Sequence, residues 1–128
     1  MALTQIIDAT RRLVINVASG TVNAQEMMEN QLALRNDPAF DESFRSLIDL
    51  RRAVDVDVSA EELRALALSS PFNARVRRAY VVNSPEQSVA TRLYQAIIDA
   101  GADTFRIFAN WDEAVAWLNE EGDLGASQ

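Results

Sequence analysis

A layered α/β domain with a mostly parallel sheet is the fold class this sequence predicts, and three observations predict it. Four segments carry a helix-start signature: Asn23-Ala24-Gln25-Glu26, Ser59-Ala60-Glu61-Glu62, Ser84-Pro85-Glu86-Gln87 and Asn110-Trp111-Asp112-Glu113. In each, a small polar N-cap residue stands three positions before Glu or Gln, so the two ends can satisfy each other's orphan amides. Each signature follows a short apolar run and opens a stretch with apolar residues at helical spacing. Strand, cap and helix in repeating order are the grammar of a layered α/β domain. With 128 residues the chain is sized for one such domain.

The elements follow in order. Ile6 and Ile7 mark a short first strand, and Ala9-Thr10-Arg11-Arg12 a turn. Leu13 to Ala18 is the second strand, with Leu13, Ile15 and Val17 on one face. The two predict an antiparallel hairpin that ends at Ser19-Gly20. The first helix follows Asn23, carries Met27, Met28, Gln31, Leu32 and Leu34, and stops at Asn36-Asp37-Pro38. Phe40 and Phe44, in the linker, are placed at the bottom of the core. Leu47 to Leu50 is a short third strand, and the second helix runs from Ser59 toward Ser69-Ser70-Pro71. Val76 to Val82 is the fourth strand. Ser84 caps the longest helix, with Pro85 suited to its first position and Gly101 to its end. Phe105 to Phe108 is the fifth strand, and the last helix carries Val115, Trp117 and Leu118. The order is ββαβαβαβα: five strands and four flanking helices. Strands separated by helices must run parallel. The domain is expected over residues 1–119, with 120–128 a polar, frayed tail.

Composition excludes several classes of function. The chain has no Cys and no His, and all twelve basic residues are Arg. Thiolate and most imidazole metal sites, the Ser-His-Asp arrangement and Schiff-base chemistry are thereby removed. The net charge of −7 weighs against nucleic-acid binding, which draws on a basic face. No apolar run approaches the ~20 residues of a spanning helix. The first residues lack a basic stretch followed by an apolar one, so the expected location is the cytoplasm. No cofactor, no metal and no enzymatic activity are expected.

The string Leu47-Ile48-Asp49-Leu50-Arg51, then Val58-Ser59 opening a helix, then Arg78-Ala79-Tyr80-Val81-Val82, resembles the SpoIIAA-like proteins. These share the STAS fold of sporulation anti-sigma-factor antagonists. The block Arg106-Ile107-Phe108, followed by Glu113-Ala114-Val115-Ala116-Trp117-Leu118, is similar to the bacterial STAS/SEC14-like subgroup. The resemblance covers about Leu3 to Leu118. It implies a parallel-rich sheet flanked by helices, and either a partner-switching module or a holder of apolar ligands. In the antagonists a serine within Asp-Ser-Ser-Gly accepts phosphate. That motif falls on Asp57, Val58, Ser59 and Ala60, where the Asp and the second Ser match and the other two positions differ.

Candidate sites follow from these readings. Asp57 and Ser59 form a phospho-acceptor or partner loop, since a helix N-terminus stabilises phosphate. Asp55 and Asp57, one residue apart, approach a hard-cation pattern but are too few for one. In open parallel sheets ligands sit beyond the strand C-termini. Those ends supply a rim of Arg51, Asn83, Ser84, Asn110 and Trp111, with no Gly-rich phosphate loop. Trp111, Met27 and Met28 are candidates to line an apolar pocket. Phe72, Arg75, Arg77 and Arg78 form a candidate patch for an anionic membrane surface or an acidic partner. The expected activity is therefore non-catalytic regulation through a protein partner, with transport or sensing of a small apolar ligand or lipid as the alternative. A homodimer fits an uncovered edge strand.

Overall fold

The structure is a computed structural model that describes residues 3–73, 75–84, 91, 95 and 104–120. The strands are β1 (Leu3–Asp8), β2 (Leu13–Asn23), β3 (Arg45–Asp57), β4 (Arg78–Val81) and β5 (Phe105–Phe108). The helices are α1 (Ala24–Arg35), α2 (Ala60–Leu68) and α3 (Trp111–Leu118). One sheet holds the strands in the order β1-β2-β3-β4-β5. β1 pairs antiparallel with β2, and every other pairing is parallel. The helix expected from Ser84 to Gly101 falls on residues outside the described ones, except that Thr91 and Gln95 are both helical.

Three of the four expected caps lie among the described residues, and they form where the sequence places them. Asn23 and Ser59 each close a full capping box, with Glu26 and Glu62 respectively. Asn110 Oδ1 accepts the Glu113 amide at 2.9 Å. Asn36 ends α1, its amide bonding back to Leu32 and Leu34.

Two strands outrun their expected ends. The hairpin does not stop at Ser19-Gly20: β2 continues to Asn23, and β3 continues through the expected loop to Asp57. From Ser19↔Arg52 to Asn23↔Asp57 the two form a parallel arm that projects past β4. Asp55 and Asp57 therefore lie on a strand and not on a loop. Alternating Val54-Asp55-Val56-Asp57-Val58 is a strand pattern beneath its charges, since β-branched residues suit the pleat. Register shifts break the pairing at Val17/Ser19 and at Gly20/Thr21. The second leaves Val54 as an extra residue on β3, 72% exposed. Opposite it, Gly20 has φ +66°, with nothing near the place a Cβ would occupy. Glycine is favoured there by backbone conformation rather than by space.

Both faces of the sheet are covered. Leu13, Leu47, Ala79 and Val81 pack under Ala114 and Leu118 of α3. On the opposite face, Ala18, Val22, Leu50, Val56 and Tyr80 pack with Leu63 of α2, and Met27 of α1 lies against them. Val14, Leu34 and Phe44 close the bottom, where Phe40 meets both Phe44 and Phe72 edge-on at 6.0 and 5.2 Å. The placement of Phe40 and Phe44 at the base of the core is as expected.

Candidate functional site

On the α1/α2 face, residues two apart on each strand line up in rows. Val14, Ser46, Arg78 and Phe105 are register partners across β2 to β5. The next row is Gln5, Asn16, Ile48, Tyr80 and Ile107. A face that packs against two helices is ordinarily apolar, yet these rows carry polar residues at the middle of the sheet. Between them and the helices lies a cavity of about 110 Å³. Its walls are mostly apolar: Met27 and Leu34 from α1, Leu63 and Leu66 from α2, and Ile48 and Phe105 from the sheet. A cavity on the order of 150 Å³ holds a benzene ring.

The polar groups in the cavity wall fall into two sets. Asn16, Gln5 and Asn30 satisfy one another: Asn30 Nδ2 donates to Asn16 Oδ1 at 2.8 Å, Gln5 Nε2 donates to the same oxygen at 3.4 Å, and Gln5 also meets Asn30. Arg78 is different. It is only 7% exposed. Its guanidinium donates to Ser70 Oγ at 3.2 Å and stacks between the rings of Phe72 and Phe105, at 5.5 and 5.1 Å from their centroids. Among the described residues no carboxylate pairs with it. Burial pushes its pKa below the usual arginine value, and the neighbouring Tyr80 phenol acts weakly the other way. Taking a cation out of water costs several kcal/mol even after relaxation. Each ring contact returns roughly 0.5–2 kcal/mol. The charge is therefore only partly compensated.

Tyr80 stacks on Phe105 at 5.6 Å. Burial pushes its phenol up to about 12, against a smaller opposing pull from Arg78. It stays a neutral hydroxyl at any ordinary pH. Ser46, also buried, completes this end of the cavity.

No family model matches the chain, and no curated protein does. Among solved structures, the chain is similar to an uncharacterised protein from Shewanella loihica PV-4, described as a DUF3478 family member with a SpoIIAA-like fold. The two are 20% identical, superpose with a TM-score of 0.59, and the match covers 91% of this chain and 94% of that one. This chain has a SpoIIAA-like fold.

Within the SpoIIAA-like fold the expected rim is found on the face opposite the cavity. Arg51 grips Asp49 with two hydrogen bonds of 2.9 Å and lies over the Trp111 ring at 5.0 Å. Asn83 Nδ2 donates to the Arg51 carbonyl at 2.7 Å. Burial works to raise the Asp49 pKa, but the Arg51 hydrogen bonds and charge, with help from Arg52, outweigh it and hold the carboxyl below the ordinary aspartate value. So Arg51, Asn83 and Trp111 do converge, as a self-satisfied clasp between strand ends and α3. Asn110 is occupied as the α3 cap, and Ser84 lies half-buried beside Asn83. Of the pocket candidates, Met27 lines the cavity, whereas Trp111 packs on the other face. Met28 is met by Ser69 Oγ at 3.6 Å.

The candidate patch of Phe72, Arg75, Arg77 and Arg78 is split by the SpoIIAA-like fold. Arg75 is exposed, but Arg77 and Arg78 are both buried, because consecutive residues of an extended chain point to opposite faces of the sheet. Arg77 donates to the Trp117 carbonyl at 2.7 Å and pairs with Glu120 at 2.9 Å. Glu120 is thus tied to the domain, although residues 121–128 lie outside the described ones. Phe72 turns inward to Phe40 and Arg78. Ser59 is exposed, but its hydroxyl is held by the Glu62 amide at 3.1 Å. Asp57 is the last residue of β3 and points to solvent. The cavity residues Asn16, Ser46 and Tyr80 escaped the sequence reading. Their signal was the spacing of two that puts Arg78 and Tyr80 on one face of a strand.

Among the described residues no group of three or more acidic side chains is placed to hold a metal ion, and no helix is long and apolar enough to cross a membrane.

Proposed function

We propose that this protein is a non-catalytic binding module that carries or senses a small, largely apolar ligand between its sheet and α1/α2. The observation that supports this reading is the largely apolar cavity at that place, lined by both helices and by residues of all five strands. The space is a half-open cleft with apolar walls and a partly compensated charge, which is how small-ligand sites are commonly built. Composition is in keeping with a module that does no chemistry, since Cys, His and Lys are missing from the chain.

Titration of the ¹⁵N-labelled protein with toluene tests the reading. The expected result is saturable shifts confined to amides around Met27, Ile48, Leu63 and Leu66. An unchanged spectrum up to toluene saturation would overturn it.

The alternative, a regulatory module that exchanges protein partners around Ser59, draws on one observation. Ser59 is exposed and caps α2, the helix that supplies Leu63 and Leu66 to the cavity. A phosphate on its oxygen would break the capping box with Glu62 and stand close to Glu61. Intact-mass measurement of protein from its native cells discriminates: a phosphorylated Ser59 favours partner exchange, and an unmodified chain favours the carrier.

A further inference from the structure

We infer that Arg78 is the anion anchor of the cavity and that the natural ligand is a small monocarboxylic acid with an apolar body. The inference rests on the reading of the cavity as a ligand site and names the ligand's chemical class. Four observations carry it. Arg78 is buried in the cavity wall, and among the described residues its only hydrogen-bond acceptor is Ser70 Oγ. Asn16, Gln5 and Asn30 in the wall bond to one another, whereas Arg78 has no carboxylate partner among the described residues. Hydroxyls of Ser46 and Tyr80 stand in the same wall and can donate to a second acceptor. Gln31 Nε2 is tied to the Leu66 carbonyl at 3.1 Å, and the rest of the lining is aliphatic and aromatic.

Charge and size narrow the class. A single cation, with no second basic residue in the lining among the described residues, matches a monoanion and not a phosphate dianion. The planar guanidinium fork fits a carboxylate through two parallel hydrogen bonds. Phe72 and Phe105 hold the guanidinium plane from their ring faces, which fixes its orientation before a ligand arrives. The cavity of about 110 Å³ suits a short alkyl chain or one aromatic ring and excludes a two-chain lipid.

The test compares hexanoate with 1-hexanol, which keeps the chain and removes the charge, by calorimetry and by NMR of the Arg78 side-chain Nε–H. The expected result is hexanoate binding tighter than hexanol by on the order of tenfold or more, as a charge-assisted pair predicts. The Arg78 Nε–H resonance should move with hexanoate and stay in place with hexanol. In Arg78→Gln the preference should vanish while hexanol binding persists. Equal affinity of the wild-type protein for acid and alcohol would overturn the anchor and leave the cavity reading standing. Binding of neither would overturn the cavity reading itself, and the anchor with it. Should Arg78→Gln fail to fold, the wild-type affinity ratio and the Nε–H shift decide alone.

Discussion

Arg77 and Arg78 are neighbours in sequence, equally buried at 7% exposure, and opposite in circumstance. Arg77 points to the α3 face. There it finds the Trp117 carbonyl, the Glu120 carboxylate and the Trp117 ring at 5.0 Å. Arg78 points to the α1/α2 face and finds two rings and one serine hydroxyl. The difference teaches that the two faces of this sheet treat a buried cation differently. The α3 face gives its arginine a carboxylate and buries Leu118 fully, although Arg77 Nε stays without an acceptor among the described residues and a hollow lies beside Leu13 and Val115. The other keeps a cavity and a cation without a counter-ion among the described residues.

The sharpest way to break the contrast is to loosen the α3 face. Leu118→Ala should cost about 3 kcal/mol by denaturant unfolding, as expected for a buried leucine whose site cannot fully collapse. By unseating α3 it should also detach Trp117 and Glu120 from Arg77, leaving both arginines equally under-partnered. Next in size is the pair of arginines. Arg77→Met removes a charge that is hydrogen-bonded and paired, and should destabilise by about 1–2 kcal/mol. Arg78→Met replaces a poorly compensated buried charge with an apolar chain of similar length, so without ligand it should leave stability unchanged or raise it by up to about 1 kcal/mol. Losses of the same size in both variants would show that the two environments are equivalent after all. The smallest effect belongs to the clasp beside α3. Asp49 titrates lower in the folded chain than in the unfolded one. As pH falls the unfolded chain takes up its proton first, so this contribution is intact above about pH 4 and lost below it. Asp49→Asn should flatten that part of the acid-unfolding curve and cost about 1 kcal/mol at neutral pH, since Arg51 is half in solvent.

Much of this architecture was legible because it is written in local signals. Asn23, Ser59 and Asn110 mark their helices with a residue pair visible within one turn, and Phe105 to Phe108 is bounded by turn residues on both sides. The resemblance carried by Leu47 to Arg51 and Arg78 to Val82 pointed to the SpoIIAA-like fold that the Shewanella structure bears out. What escaped was non-local. The parallel arm depends on Ser19 to Asn23 meeting Arg52 to Asp57 across an intervening helix, and no short-range pattern reports that pairing. Ser19-Gly20 carries the composition of a turn, but the positive φ of Gly20 is absorbed by a bulge. The cavity escaped for a related reason. Asn16, Ser46 and Arg78 look like unrelated polar residues until strand register sets them side by side. In the sequence Arg78 groups with Arg75 and Arg77 as one cationic surface, whereas the pleat distributes neighbours to opposite faces.

The arm has a mechanical consequence. Its final rung joins Asn23 to Asp57, so α1 and α2 are launched within a few residues of each other from the tip of one two-stranded cantilever. A flexure at the Gly20–Val54 irregularity would swing both helices together, raising or lowering the roof over Arg78 along a single mechanical coordinate.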